Sequence, residues 1–275
     1  MDHRQLETVI VGGAGKTGKR VAQRLSARGV PVRLASRSSA RPFDWNDERT
    51  WPAALRGAQA LYLTYFPDLA APGAAERIGT ASRLAAESGV ERIVLLSGRG
   101  EHQVWLSERA MRDAGVPFTI VRCAFFAQNF SEGHLLEPIL HGELTLPGGN
   151  VSEPFVDVED VADVVSAALT DARHQGQIYD LTGPRLLTFS EVCAEITRAS
   201  GRAVSYRSVS RDAYAAALAQ VMPAEDVPFI VDLFVHVLDG HNSLLTDGVQ
   251  RALGRPPRDF SAYAQGAAAA GAWKS

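Results

Sequence analysis

Near the amino terminus, Gly12-Gly13-Ala14-Gly15-Lys16-Thr17-Gly18 brings together the residue types that let a backbone close around a phosphate. The run satisfies both G-x-G-x-x-G and G-x-x-G-x-x-G. It follows the first apolar run and opens an amphipathic stretch. Chemistry at such a turn needs main chain without side chains: a tight bend, close approach of N–H groups to a diphosphate at a helix amino terminus, and tight packing of helix on strand. Gly12, Ala14, Gly15, Lys16, Thr17 and Gly18 are therefore expected to hold a nucleotide. The plainer alternative is a strand-to-helix turn with no ligand. Gly15-Lys16-Thr17 also imitates the end of a P-loop, but that motif needs glycine at position 10, where the chain has Ile.

The end of the second strand distinguishes one dinucleotide from another. An NAD site usually presents an acid there to the ribose hydroxyls. No acidic residue occurs between Glu7 and Asp44, and the segment reads Ala35-Ser36-Arg37-Ser38-Ser39 with Arg33 and Arg41 nearby. A guanidinium flanked by hydroxyls suits a 2′-phosphate, so Ser36, Arg37 and Ser38 predict NADPH; the alternative is that Arg37 is a solvated surface charge. Asp44-Trp45 follow a short third strand, where contact with adenine is expected. Thr64-Tyr65 close the next strand beside the adenosine.

Reduction by a conventional short-chain enzyme uses a Tyr whose acidity is raised by a Lys four residues later. The six tyrosines stand at 62, 65, 179, 206, 214 and 263, and Lys occurs only at 16, 19 and 274, so the pair is absent. Ser97, in Leu95-Leu96-Ser97-Gly98, sits where such an enzyme carries its serine; it is a candidate catalytic hydroxyl or one that merely closes a strand. His102 could protonate a product, or it is an exposed loop histidine.

These features resemble the NmrA-like, atypical short-chain reductases over nearly the whole chain. Beyond the glycine loop the likeness rests on residues 108–115, Phe118-Thr119-Ile120-Val121-Arg122, residues 126–129 and Val156-Asp157-Val158-Glu159-Asp160-Val161-Ala162. Within that family, Ala35-Ser36-Arg37-Ser38-Ser39, Phe43-Asp44-Trp45 and Leu187-Thr188-Phe189-Ser190-Glu191-Val192 resemble fungal ergot-alkaloid dehydrogenases of the festuclavine and agroclavine type; quinone oxidoreductase-like members are also similar. The resemblance implies NADPH hydride delivery to an activated C=N, C=O or quinone, often without a dedicated proton donor. Ser97, Gly98, Cys123, Ala124 and Phe125 are then expected beside the cofactor. The family usually has Pro where this chain has Cys123, so that loop is expected to be shaped differently.

Without a strong acid, rate would come from holding an acceptor in a dry pocket. Phe126, Asn129, Phe130 and His134 are expected to line it, with Trp105, Phe155, Phe229 and His236 as further walls. Such aromatics suit a flat polycyclic acceptor; the alternative is that they are ordinary core. No metal site is expected. A second function, that of a redox sensor binding nicotinamide nucleotides without turnover, also fits the missing acid. An epimerase fits less well, since those relatives generally keep Tyr and Lys.

To position these residues the chain needs a parallel sheet covered by helices. Strands are expected at 8–11, 30–35, 60–65, 92–96, 118–121 and 177–181. Helices are expected at 16–27, 47–55, 74–88, 104–114, 133–141 and 158–170, with a mostly helical part from 190 and a terminal helix at 262–272. The fold class is thus α/β, a Rossmann doubly wound sheet with a small, mostly helical carboxy-terminal substrate lobe. The expected division is 1–155 for nucleotide binding and 156–275 for the substrate lobe, some of whose segments return to the sheet and whose helices cap the carboxyl edge of the strands. With 275 residues, 46% of them hydrophobic and 21% charged, the chain can bury a large core. A net charge of -3 argues against nucleic acid and anionic membranes as partners and leaves a small molecule. Two cysteines without C-x-x-C spacing, and no signal-like or membrane-length apolar run, predict a reduced cytoplasmic protein. Oligomeric state is left open.

Overall fold

The computed structural model describes residues 7–100 and 102–274. Strand and helix alternate first: β1 (Glu7–Val11), α1 (Lys16–Ala27), β2 (Val32–Ala35), α2 (Trp51–Leu55), β3 (Ala58–Leu63), α3 (Ala74–Glu87), β4 (Arg92–Gly98), α4 (His102–Arg112) and β5 (Phe118–Cys123). Shorter elements follow: α5 (Asn129–Glu132), α6 (Leu136–Leu140), β6 (Glu143–Leu146) and β7 (Ser152–Glu153). Then come α7 (Val158–Thr170), β8 (Gln177–Leu181), β9 (Leu187–Thr188), α8 (Phe189–Ser200) and β10 (Ser205–Ser208). Four helices end the chain: α9 (Arg211–Leu218), α10 (Val227–Val237), α11 (Gly248–Leu253) and α12 (Phe260–Ala269).

Contacts divide the chain into two units. The first comprises Met1–Cys123, Val158–Leu181 and Gly248–Arg255. Its six strands are all parallel, in the order β2-β1-β3-β4-β5-β8. Parallel strands survive only when both faces are covered, and β1 and β3 accordingly read as nearly continuous apolar runs. On one face Val9, Val11, Leu61, Leu63, Ile93 and Leu95 join Trp51, Ile78 and Met111 in a single core. α1 and α7 pack on each other, fastened where Arg20 and Arg24 each meet Glu159 at 2.6 Å. Because β1 lies between β2 and β3, the winding reverses beside β1, and the carboxyl ends of all six strands share one edge. Open α/β sheets bind ligands at such a reversal. This is the expected Rossmann doubly wound architecture.

The second unit comprises Ala124–Asp157, Thr182–Asp247 and Pro256–Ser275. It is mostly helical, with two small sheets, β10-β6 and β7-β9. Phe130, Phe155, Phe189 and Phe260 are almost fully buried in its core and meet largely edge to face. α8 begins with a capping box, in which the Thr188 hydroxyl accepts from the Glu191 N–H and the Glu191 carboxylate accepts from the Thr188 N–H. That reciprocal pair gives the Leu187-Thr188-Phe189-Ser190-Glu191-Val192 string a structural reason.

Some elements differ from expectation. No third strand precedes Asp44; the segment makes one isolated bridge, Asp44 to Asp47, because a turn closed by the Asp47 N–H on the Asp44 carbonyl interrupts it. The helix expected at 133–141 shortens to α6, since Gly133 is extended and ends the preceding α5. The division near 155 is replaced by an interleaved one. α7 and α11 join the first unit with β8, because α7 supplies the carboxylates facing α1 and Arg255, just after α11, meets Asp160 of α7 at 2.7 Å. Among the described residues no helix is long and apolar enough to cross a membrane.

Candidate cofactor site

The glycine loop joins β1 to α1, and each glycine answers to a different neighbour. Gly12 has φ +76°, and a Cβ there would also lie 2.1 Å from the Thr64 Oγ1. Thr64 in turn donates its hydroxyl proton to the Val11 carbonyl at 3.0 Å, so the residue just after β3 holds the loop's first corner. A Cβ on Gly18 would come within 2.3 Å of the Gly12 carbonyl oxygen and 2.8 Å of the Gly13 Cα, which is the close helix-to-strand packing a third glycine serves. Gly15 differs. A Cβ there would crowd a single group, the Gly12 carbonyl oxygen at 3.2 Å, far less than at Gly12 or Gly18, whereas a phosphate approaching the main chain would itself require glycine.

Gly15 is the N-cap of α1 and has no side chain to accept from the first turn, which also contains no acid. The positive end of a twelve-residue helix is thus left without the Asp, Ser or Thr that commonly neutralises it. Gly15, Lys16 and Thr17 could hold a diphosphate there through backbone N–H groups. Ala14 is exposed on the loop and Thr17 is buried beneath it.

At the carboxyl end of β2, the Ser36 hydroxyl lies 3.3 Å from that of Ser38 and 2.9 Å from that of Ser39. Arg37 is exposed and makes no hydrogen bond or ion pair with the described residues. Arg33 and Arg41 are engaged elsewhere: Arg33 pairs with Glu7 at 2.8 Å, and both reach the Arg56 carbonyl. One unpaired guanidinium, flanked by hydroxyls and no carboxylate, could accept a phosphate monoester.

Asp44 and Trp45 make structural bonds of their own. Trp45 is 9% exposed, donates its indole N–H to the Thr64 carbonyl at 3.0 Å, and packs on Phe43, Trp51 and Tyr65. The Asp44 carboxylate accepts from the Asn46 N–H, and its carbonyl accepts from the Trp51 indole. The Tyr65 hydroxyl accepts from Arg77 at 3.0 Å. These groups brace the end of β3 and so, through Thr64, the glycine loop.

Ser97 and Gly98 end β4, with Gly98 paired to Cys123 of β5. Ser97 is buried and donates to the Glu108 carboxylate at 2.7 Å. Glu108 is 4% exposed and takes two further bonds from Arg122, at 2.8 and 2.6 Å. The hydroxyl proton is directed at a carboxylate, and through it Ser97 links β4, α4 and β5. Neither Glu108 nor Arg122 was expected at the site, although Val104, Glu108 and Met111 share a buried helical face, and an acid on such a face demands a cation. Burial pushes the Cys123 thiol up, away from the reactive thiolate. His102 is exposed at the start of α4, its ring 5.6 Å from that of Trp105, itself 47% exposed.

The remaining predicted residues lie in the second unit. Ala124 is buried and Phe125 half-buried, the latter facing Phe130, Phe155, Phe189 and Phe234. Phe130 and Phe155, expected as pocket walls, are 0% and 2% exposed and are core, because a small unit with short elements fills its interior with its largest rings. Phe126 bridges to Val156, and Asn129 and Phe229 are half-buried. His134 is exposed against Phe234. His236 stands at the surface beside Asp239 and His241.

A doubly wound parallel sheet with a dinucleotide-type glycine loop at its reversal point defines a Rossmann-type nucleotide-binding protein. The NmrA-like family model matches residues 102–239. An uncharacterized oxidoreductase, YesF, of Bacillus subtilis is 30% identical, covering 99% of this chain and 98% of its own. Agroclavine dehydrogenase of Claviceps fusiformis is 29% identical over 93% and 95% of the two chains. The crystal structure of Citrobacter sp. triphenylmethane reductase complexed with NADP(H) superposes with a TM-score of 0.79 at 19% identity, covering 95% of this chain and all of that one. The chain belongs to the NmrA-like family.

Proposed function

We propose that this protein is an NADPH-dependent reductase that transfers hydride to an activated C=O or C=N, in a ketone, quinone or imine, of a bulky, polycyclic small molecule. The observation that carries the cofactor choice is Arg37: an unpaired guanidinium at the end of β2, flanked by Ser36 and Ser38, where an NAD site would present a carboxylate. The uncapped, acid-free amino end of α1 supports a diphosphate next to it. The agroclavine dehydrogenase and oxidoreductase names of relatives covering almost the whole chain support redox chemistry.

NADPH, when bound, supplies the hydride. The chain's own part is to bind and to orient. Gly15, Lys16 and Thr17 hold the diphosphate, and Arg37, Ser36 and Ser38 hold the 2′-phosphate. Ser97, fixed by Glu108 and Arg122, keeps the ends of β4 and β5 rigid. No Tyr and Lys pair exists to protonate an alkoxide, and burial pushes the phenol of Tyr62, the tyrosine within β3, further from ionisation. Rate enhancement therefore falls to positioning, which suits acceptors already polarised, such as iminium ions or quinones.

The commitment of the Ser97 proton to Glu108 also favours a second reading, a nucleotide-sensing regulator without turnover. One experiment separates them. Purified protein is mixed with NADPH and a panel of quinones, iminium compounds and polycyclic ketones while reduced-nicotinamide absorbance is followed. The reductase reading expects saturable oxidation with at least one class. No turnover with any acceptor, alongside equal affinity for NADPH and NADP, removes it.

A further inference from the structure

The last turn of α10 and the residues after it read His236-Val237-Leu238-Asp239-Gly240-His241, an H-x-x-D-x-H spacing that plays no part in nucleotide binding. The backbone folds the three side chains together. Candidate ligand atoms of His236, Asp239 and His241 all lie within 4.8 Å of one another. The centroids of the two imidazole rings are 4.8 Å apart, with the ring planes tilted by 30°.

The turn that carries them is pinned. Gly240 has φ +94°, which only glycine adopts cheaply, and a Cβ there would approach Val151 at 3.5 Å. The His241 N–H donates to the Asp239 Oδ1 at 2.9 Å, and the His241 ring also contacts that oxygen. Leu238 is 4% exposed, and the Ser243 hydroxyl donates to the Ser152 carbonyl at 2.6 Å, so the backbone is anchored on both sides of Asp239. The ligand side chains stay open to solvent, at 52% for His236, 46% for Asp239 and 30% for His241. His236 Nδ1 is 3.7 Å from the Asp239 Oδ2, too far for a hydrogen bond, so the carboxylate does not satisfy that ring.

We propose that His236, Asp239 and His241 form a surface site for one divalent transition-metal ion of the zinc class. Two imidazoles and one carboxylate match borderline ions such as Zn2+, Co2+ and Ni2+, whereas Mg2+ and Ca2+ require mostly oxygen ligands. Metal–ligand bonds of about 2.0–2.2 Å place any two ligands no more than about 4.4 Å apart. Exposed side chains need shift only a few tenths of an ångström to come within that bound. Three protein ligands leave a fourth position to water. Both cysteines are buried, at 8% and 1%, so neither competes as a thiolate.

The test uses the full chain without an affinity tag, stripped with chelator. Titration with Zn2+ by calorimetry, and with Co2+ by its visible d–d absorption, is expected to show a saturating site at one equivalent, and Mg2+ none. His236→Ala and His241→Ala are each expected to weaken Zn2+ at least tenfold. Asp239→Asn, which keeps the side chain's shape, is expected to weaken it as well, while the exposed control His141→Ala leaves it unchanged. Circular dichroism confirms that each variant is folded. The proposal is overturned by absence of saturation at one equivalent, by Mg2+ binding as tightly as Zn2+, or by the control weakening binding as much as the triad variants.

Discussion

Arg122, Glu108 and Ser97 show how single residues divide the work at the strand ends. Glu108 is a buried carboxylate whose charge is tolerable only because Arg122 spans it with two bonds, and the pair holds the Arg122 guanidinium above its ordinary value. Removing the cation strands the acid, which costs about 3 kcal/mol or more at buried pairs. Arg122→Met is therefore expected to lower unfolding stability by about that amount in urea titrations. Ser97→Ala, which deletes one hydroxyl bond to Glu108, is expected to cost about 1 kcal/mol and to change kcat less than tenfold, since its proton is not available to a product. A loss of kcat near a thousandfold with stability intact would return Ser97 to acid catalysis. The glycine loop and Arg37 could be read from the sequence because their chemistry is local, contained in a few consecutive residues. The Glu108 and Arg122 pair could not, because an acid on a helix and a cation on a strand fourteen residues later meet only after β4 and β5 are paired.

Elements carry the next set of consequences. Gly18→Ala would drive a methyl group into the Gly12 carbonyl and the Gly13 backbone, neither of which can rotate away. Overpacking of this kind costs about 1–3 kcal/mol, and nucleotide binding is expected to be lost with the loop's shape. Gly15→Ala is expected to fold with a loss of about 1 kcal/mol, because its Cβ would crowd a single backbone oxygen, that of Gly12 at 3.2 Å, which a shift of a few tenths of an ångström relieves, yet to bind nucleotide at least tenfold more weakly. Thermal melting and titration of the two variants side by side check this contrast. At α12, Asp259 caps the helix and takes two bonds from Arg185, which holds its carboxyl well below the usual carboxylate range. A depressed folded-state value means stability that is complete above the unfolded value near about 4 and is lost as pH falls toward the folded one. Asp259→Ala is expected to cost about 1–2 kcal/mol at neutral pH and less at pH 3, read from urea midpoints at both. The carboxyl end of α1 follows directly from amphipathic spacing ended by Gly29. Phe43-Asp44-Trp45 misled because aromatic residues favour strands, whereas here they bury their rings against Trp51 while the backbone turns.

At the level of the molecule, the first unit is assembled from three separated stretches of chain. Residues 1–155 alone would lack β8, which pairs with β5, and α7, which supplies Glu159 to Arg20 and Arg24. A fragment ending at 155 is expected to show no cooperative unfolding transition, whereas the whole chain does. Circular dichroism on heating distinguishes them. Sequence order suggested a cut near 155; which later helices return to the first unit depends on ion pairs and strand partners that no local pattern announces. The aromatic residues after β5 posed the same difficulty, since core and pocket draw on the same ring types, and burial alone separates Phe130 from Phe125. The account as a whole depends on the edge where β1 and β2 end. Calorimetric titration of the wild-type chain and of Arg37→Ala with NADPH and with NADH tests it most directly. Loss of charge-assisted bonds worth about 1.5–3 kcal/mol is expected to weaken NADPH at least tenfold in the variant and to leave NADH within about twofold. Equal responses to the two nucleotides, or no heat from either with the wild-type protein, would contradict it.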